Sequence, residues 1–139
     1  MGKILCATRG GEASWRTQDE AIKLAKKRGD ELIFLYVADM SFLNKIAAPV
    51  VVDAEDGVKK LGEFLLAMAQ ERAREKGLEV QVVIREGKTR EEIKAAAREL
   101  EVDCVVLGVP AEGGVFQEEA MRAFAREIEE ETGVEVVLV

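Results

Sequence analysis

Apolar positions along the chain recur with two periods in turn. Residues 3–8, K-I-L-C-A-T, form a short continuous apolar run that ends at Arg9-Gly10-Gly11, the pattern of a buried strand meeting a turn. A helical period follows within 14–28, where Ala21, Ile22, Leu24 and Ala25 share a face. Ser14 or Thr17 can cap this helix, Thr17 having Glu20 three residues on, and Gly29 stops it. The run 31–38, E-L-I-F-L-Y-V-A, predicts a strand covered on both faces. The next segment, 39–52, has no clear period and contains Pro49, so it reads as a long surface connection that packs Phe42, Leu43 and Ile46.

From about 53 to 76 the spacing predicts a long helix with Val58, Leu61, Phe64, Leu65 and Met68 on its inward stripe. Gly57 and Gly62 should each weaken that helix by about 1 kcal/mol relative to Ala. Residues 78–85 alternate in part, as a strand near a sheet edge does. Thr89 and Glu92 have the spacing of a capping box at the start of a helix that turns Ile93, Ala96, Ala97 and Leu100 inward. Residues 103–107 predict a fourth strand and 108–114 a glycine-rich loop. A last helix over about 117–132 presents Met121, Phe124, Ala125 and Ile128 to the core, and 134–139 is a terminal strand.

Strand and helix alternate four times and a fifth strand closes the chain. That order predicts one α/β domain over 1–139, with an open five-stranded parallel sheet, helices on both faces and right-handed crossovers. The wetter 78–85 pattern suits one edge and the terminal strand the other, which favours the strand order 3-2-1-4-5. Ligands of such sheets bind where the order reverses, here between strands one and four. The candidate crevice is therefore Thr8, Arg9, Gly10 and Gly11 on one wall, Gly108, Pro110, Ala111, Gly113 and Gly114 on the other, with Val37 and Arg122 beside them.

Composition narrows the chemistry. A net charge of −7 disfavours nonspecific binding to nucleic acid or anionic lipid, and no apolar run reaches the roughly 20 residues of a membrane span. The expectation is a soluble cytoplasmic protein without signal peptide, nucleic-acid partner or membrane partner. The basic run Lys26-Lys27-Arg28 reads as a solvated helix end, and Glu129-Glu130-Glu131 as a solvated helix face. The absence of histidine removes His-based triads and His metal sites. Cys6 and Cys104 lie in strand patterns without a C-x-x-C, so both read as buried structural thiols. Trp15 is expected to pack on the rim of the first turn. Abundant Glu, Lys and Arg with a single Asn is a composition expected of a thermophilic source.

The chain resembles the universal stress protein family along nearly its whole length. The opening I-L-C-A-T-R-G-G-E-A-S is similar to the family's first strand and D-G-S-E-x-S turn, and G-D-E-L-I-F-L-Y-V-A-D to its second strand. The run E-G-K-T-R-E-E-I-K-A-A-A-R-E-L-E-V-D-C-V-V-L-G follows the family's G-x-x-x-x-x-I-x-x-x-A-x-x-x-x-x-D-x-I-V-x-G, and V-E-V-V-L-V its C-P-V-L-V-V type of ending. The resemblance implies the adenine nucleotide alpha hydrolase-like fold and, for many members, a homodimer through the terminal strand, here Val134, Val136, Val137, Leu138 and Val139. It also implies a motif for nucleotide, G-x-x-G, nine residues, then G-S or G-T. Gly108 matches the first glycine; Ala111 stands at the second, and Arg122 falls in the G-S pair in either register. The family aspartate that contacts adenosine is Arg9 here.

Pro110 lacks a backbone donor, Ala111 adds a methyl group, and Glu112, Glu118 and Glu119 bring negative charge to a helix start that a phosphate would use. Three functions stay open. The first is a non-catalytic dimeric regulatory or stress-response protein without a cofactor, acting on an unidentified protein partner. The second is a binder of ATP or AMP with magnesium, or a slow ATPase, using an altered loop. The third is a small enzyme using carboxylates or Cys6. The third has little in its favour: no nucleophile elbow, P-loop, metal-ligand cluster or catalytic residue stands out.

Overall fold

In the computed structural model, which describes residues 2–9, 12–39, 48–109 and 114–139, strands and helices alternate throughout. The order is β1 (Lys3–Ala7), α1 (Glu12–Arg28), β2 (Glu31–Ala38), α2 (Ala48–Glu75), β3 (Gln81–Glu86), α3 (Thr89–Glu99), β4 (Cys104–Leu107), α4 (Gly114–Thr132) and β5 (Glu135–Leu138). The five strands form one sheet in the order β3-β2-β1-β4-β5, and every pairing is parallel. The order reverses between β1 and β4, as the strand patterns predicted.

Side chains alternate across a strand, so each central strand feeds two cores. Ile4 and Cys6, Leu32 and Phe34, and Cys104 and Val106 meet Ala21, Ile22 and Ala25 of α1 and Leu66, Ala69 and Ala73 of α2. Leu5, Ile33, Leu35, Val105 and Leu107 meet Ile93, Ala96 and Ala97 of α3 and Phe124 and Ile128 of α4. Both faces of β1, β2 and β4 are covered, which is why these strands read as unbroken apolar runs.

Several local expectations change. The inward stripe of α2 is Gly62, Leu66, Ala69 and Ala73, while Leu61, Phe64 and Met68 are exposed. Small residues win the inward face because they let the helix lie close to the sheet: a Cβ on Gly62 would stand 2.5 Å from ring carbon Cδ1 of Tyr36. Helix α2 starts at Ala48, earlier than the expected 53, with Pro49 in its first turn, where a missing N–H has no intrahelical partner to lose. The packing of Phe42, Leu43 and Ile46 lies outside the described residues.

Helix α1 begins at Glu12, so Thr17 sits inside it and caps nothing. Instead Thr17 is buried, and its side chain occupies the space a Cβ at Gly108 would need. Helix α4 begins at Gly114, a turn before the expected start, and β3 starts later than 78–85 would have it and runs over Gln81–Glu86. The capping box at Thr89 does not form. Lys88 is the N-cap and makes no side-chain cap bond, and Glu92 turns to Arg85 at 2.8 Å. Trp15 packs against α2, where the Arg72 guanidinium lies 5.1 Å from its ring centre. Glu131 is no free solvated charge, since it binds Lys94 at 3.0 Å.

Candidate functional site

The crevice opens where β1 and β4 part. Thr8 closes β1 by donating its backbone N–H to Leu35 O at 2.8 Å, and its hydroxyl accepts a 2.9 Å bond from Gln18 Nε2 inside the protein. Arg9 follows with an exposed side chain, and its backbone N–H reaches Ser14 Oγ at 3.4 Å. Gly108 leaves β4 directly beside Thr17. Between these ends lies a cavity of about 790 Å³. Leu35, Tyr36, Val37, Val58, Ile93, Met121 and Phe124 give it apolar walls, and Arg9, Lys88 and Arg90 bring cations to it.

Of the residues singled out in the sequence, Thr8, Arg9, Val37 and Gly108 line this cavity. Gly114 is the first residue of α4, and Arg122 turns away to pair with Glu118 at 2.6 Å. Gly10, Gly11, Pro110, Ala111 and Gly113 lie outside the described residues.

The start of α3 was not foreseen as a wall of the site. Asp39, one residue past β2, accepts bonds from both the backbone N–H and the hydroxyl of Thr89, each at 3.1 Å. A carboxylate from another element therefore satisfies a donor of the first turn and sits at the positive end of the helix. Arg90, one position on, places its guanidinium carbon 5.2 Å from the ring centre of Phe124, bridging α3 and α4 across the cavity. The only sequence signal for Asp39 was a carboxylate just after a strand. Its role depends on β2 and α3 ending side by side, which local pattern does not contain.

Neither thiol is poised for chemistry. Burial pushes Cys6 up to about 12, and burial, ahead of its contact with Glu135, pushes Cys104 up to about 11. A thiol that stays protonated at neutral pH is a poor nucleophile. Among the described residues no group of three or more acidic or Cys side chains is placed to hold a metal ion. No helix among them is long and apolar enough to cross a membrane.

Residues 1–118 match the model of the universal stress protein family. The chain belongs to that family. Universal stress protein YxiE of Bacillus subtilis is 29% identical over 116 residues, which is 78% of each chain. Among solved structures, universal stress protein UspA from Lactobacillus plantarum superposes with a TM-score of 0.83 at 19% identity, covering 99% of this chain and 97% of its own. A universal stress protein from Archaeoglobus fulgidus in complex with dAMP gives 0.64 at 15% identity, covering 99% and 97%. At these identities the superpositions establish the shared fold.

Proposed function

We propose that this member of the family is a non-catalytic regulatory protein, acting as a homodimer, whose crevice does not hold MgATP tightly. The observation that carries the reading is the make-up of the crevice mouth. Arg9 stands where the family's adenosine-contacting aspartate is expected, and Asp39 already occupies the positive end of α3. The residues that follow Gly108 point the same way. Pro110 has no N–H to offer, and Ala111 replaces a glycine whose bare backbone lets phosphate approach. A triphosphate cradle does not fit this set. Isothermal calorimetry with MgATP at neutral pH should show nothing tighter than about 100 μM, or about −5.5 kcal/mol. A micromolar constant would overturn the reading.

A second reading is favoured by the cavity itself and by the dAMP complex of the Archaeoglobus relative. Apolar walls suit a purine face, and one phosphate asks far less of a loop than three do. On this reading an adenine monophosphate lies between Val37 and Met121, with Arg9 as its charged partner. Arg9→Ala should then weaken AMP by about 1.5–3 kcal/mol, the range for hydrogen bonds to charged groups. AMP that binds the variant as tightly as the parent removes Arg9 from the site.

A further inference from the structure

Away from the crevice, a second cavity of about 530 Å³ lies between α1 and β5. Its floor is Leu24 of α1, Val106 of β4, and Val137 and Val139 at the end of the chain. The cavity exists because the two faces of β5 are covered unequally. Helix α4 packs over the face that carries Val136 and Leu138. Val137 and Val139 turn to the α1 side, where the helix lies over β1, β2 and β4 instead, and they stay only partly buried.

The rim of this cavity is cationic. Arg16, Lys23 and Lys27 line it from α1, all three exposed. At i, i+7 and i+11 they form a row about 16 Å long, within about 40° of one line along the helix. Among the described residues neither Arg16 nor Lys27 has a carboxylate within ion-pair distance. Lys23 meets Glu20 at 3.6 Å with 73% of its side chain exposed, a pair that gives way at little loss. This row stands in a chain of net charge −7, so it is a local reversal of sign. At its far end Arg28 and Glu135, 2.8 Å apart, tie α1 to the start of β5 and bound the groove there.

The lining selects the chemistry of a ligand. The floor offers neither a hydrogen-bonding side chain nor an aromatic ring, so the body that fits it is aliphatic. The rim offers cations, so the head is an anion. A second copy paired along the β5 edge would engage main-chain groups and leave this face of the strand open. We propose that the groove between α1 and β5 binds a single-chain amphipathic anion, a fatty carboxylate or an alkyl phosphate, with its head on the row from Arg16 to Lys27. The site is separate from the crevice and does not depend on what the crevice holds.

Calorimetry of the full chain with dodecanoate and with dodecyl phosphate, each below its micelle-forming concentration, tests the proposal. At least one of the two should bind at one site per chain. Its ten-carbon homologue should bind about tenfold more weakly, because two fewer methylenes are buried. Arg16→Gln combined with Lys27→Gln changes only exposed side chains and should fold as the parent does, while weakening the anion at least about tenfold. Uncharged dodecanol should bind more weakly than either anion and the same to parent and variant. The absence of saturable binding by both anions overturns the proposal, as does binding that the double variant leaves unchanged. So does binding of the parent to phosphatidylglycerol vesicles without binding of either free anion, which gives the row to a membrane surface.

Discussion

Gly57 and Gly62 stand on the same helix, both with the conformational liability of glycine, yet their surroundings differ. A Cβ at Gly57 meets nothing within 4 Å, whereas one at Gly62 meets the Tyr36 ring at 2.5 and 2.7 Å. Gly57→Ala should therefore stabilise the protein by about 0.5–1 kcal/mol, the ordinary helical gain. Gly62→Ala has the same gain set against the displacement of a ring, and overpacking of that kind costs about 1–3 kcal/mol. A net loss is expected. Denaturant melts of the two variants beside the parent check this, and a stabilised Gly62→Ala would show that Tyr36 gives way freely. The sequence shows two helix-weakening glycines and nothing to tell them apart, because the difference lies in a strand contributed from elsewhere in the chain.

At the scale of elements, α3 and α4 are tied by one buried lysine. Lys94 is almost wholly covered, yet its ammonium reaches Glu127 at 2.7 Å, Glu131 at 3.0 Å and Glu91 at 3.5 Å. Hydrogen bonding to Glu127 and then Glu131 raises the Lys94 pKa, and the bond from Lys94 holds Glu127 below the usual carboxylate range. A carboxyl whose folded pKa is depressed stabilises the fold fully above its unfolded value, about 4.3, and loses that contribution as pH falls through the lower folded value. The same sign holds for Asp19, where burial pushes up but the bonds from Lys76 and Arg72 outweigh it and tie α1 to α2. Melting temperature should accordingly drop steeply below about pH 4.3. Lys94→Met, which removes the cation shared by Glu91, Glu127 and Glu131, should flatten that drop. Parallel pH profiles for variant and parent would refute the assignment. The acidic run at 129–131 looked like an ordinary wet face, since a helical pattern gives no sign that a lysine from the preceding helix is packed beneath it.

For the whole molecule, the alternation of short apolar runs with amphipathic helices was enough to reach the sheet order, because right-handed crossovers leave few arrangements. The wettest pattern, 78–85, and the chain-terminal strand became the two edges. What the pattern could not supply were contacts made only once the sheet is assembled: Asp39 on Thr89, Arg90 over Phe124, Thr17 against Gly108. Strand β5 pairs with β4 alone in the sheet, and Val137 and Leu138 are only partly buried on opposite faces. An edge of that kind, without lysine or proline after Glu135, invites a further strand. The proposed family-type dimer uses it, and Val137→Pro, which deletes one ladder donor, should yield monomer or aggregate. Sedimentation of the intact chain at micromolar concentration checks this contact, and a lone 15.3 kDa species excludes it.

The Asp39 carboxylate on Thr89 has a consequence for proton exchange. The amide of a first-turn residue has no acceptor within its own helix and ordinarily trades its hydrogen with solvent as fast as the end frays. Here the acceptor belongs to the far end of β2, so the Thr89 amide is released when the mouth of the crevice parts, not when α3 unwinds. Its deuterium uptake is thus a clock on that opening: a ligand that closes the mouth will slow this one hydrogen while leaving the middle of α3 unchanged.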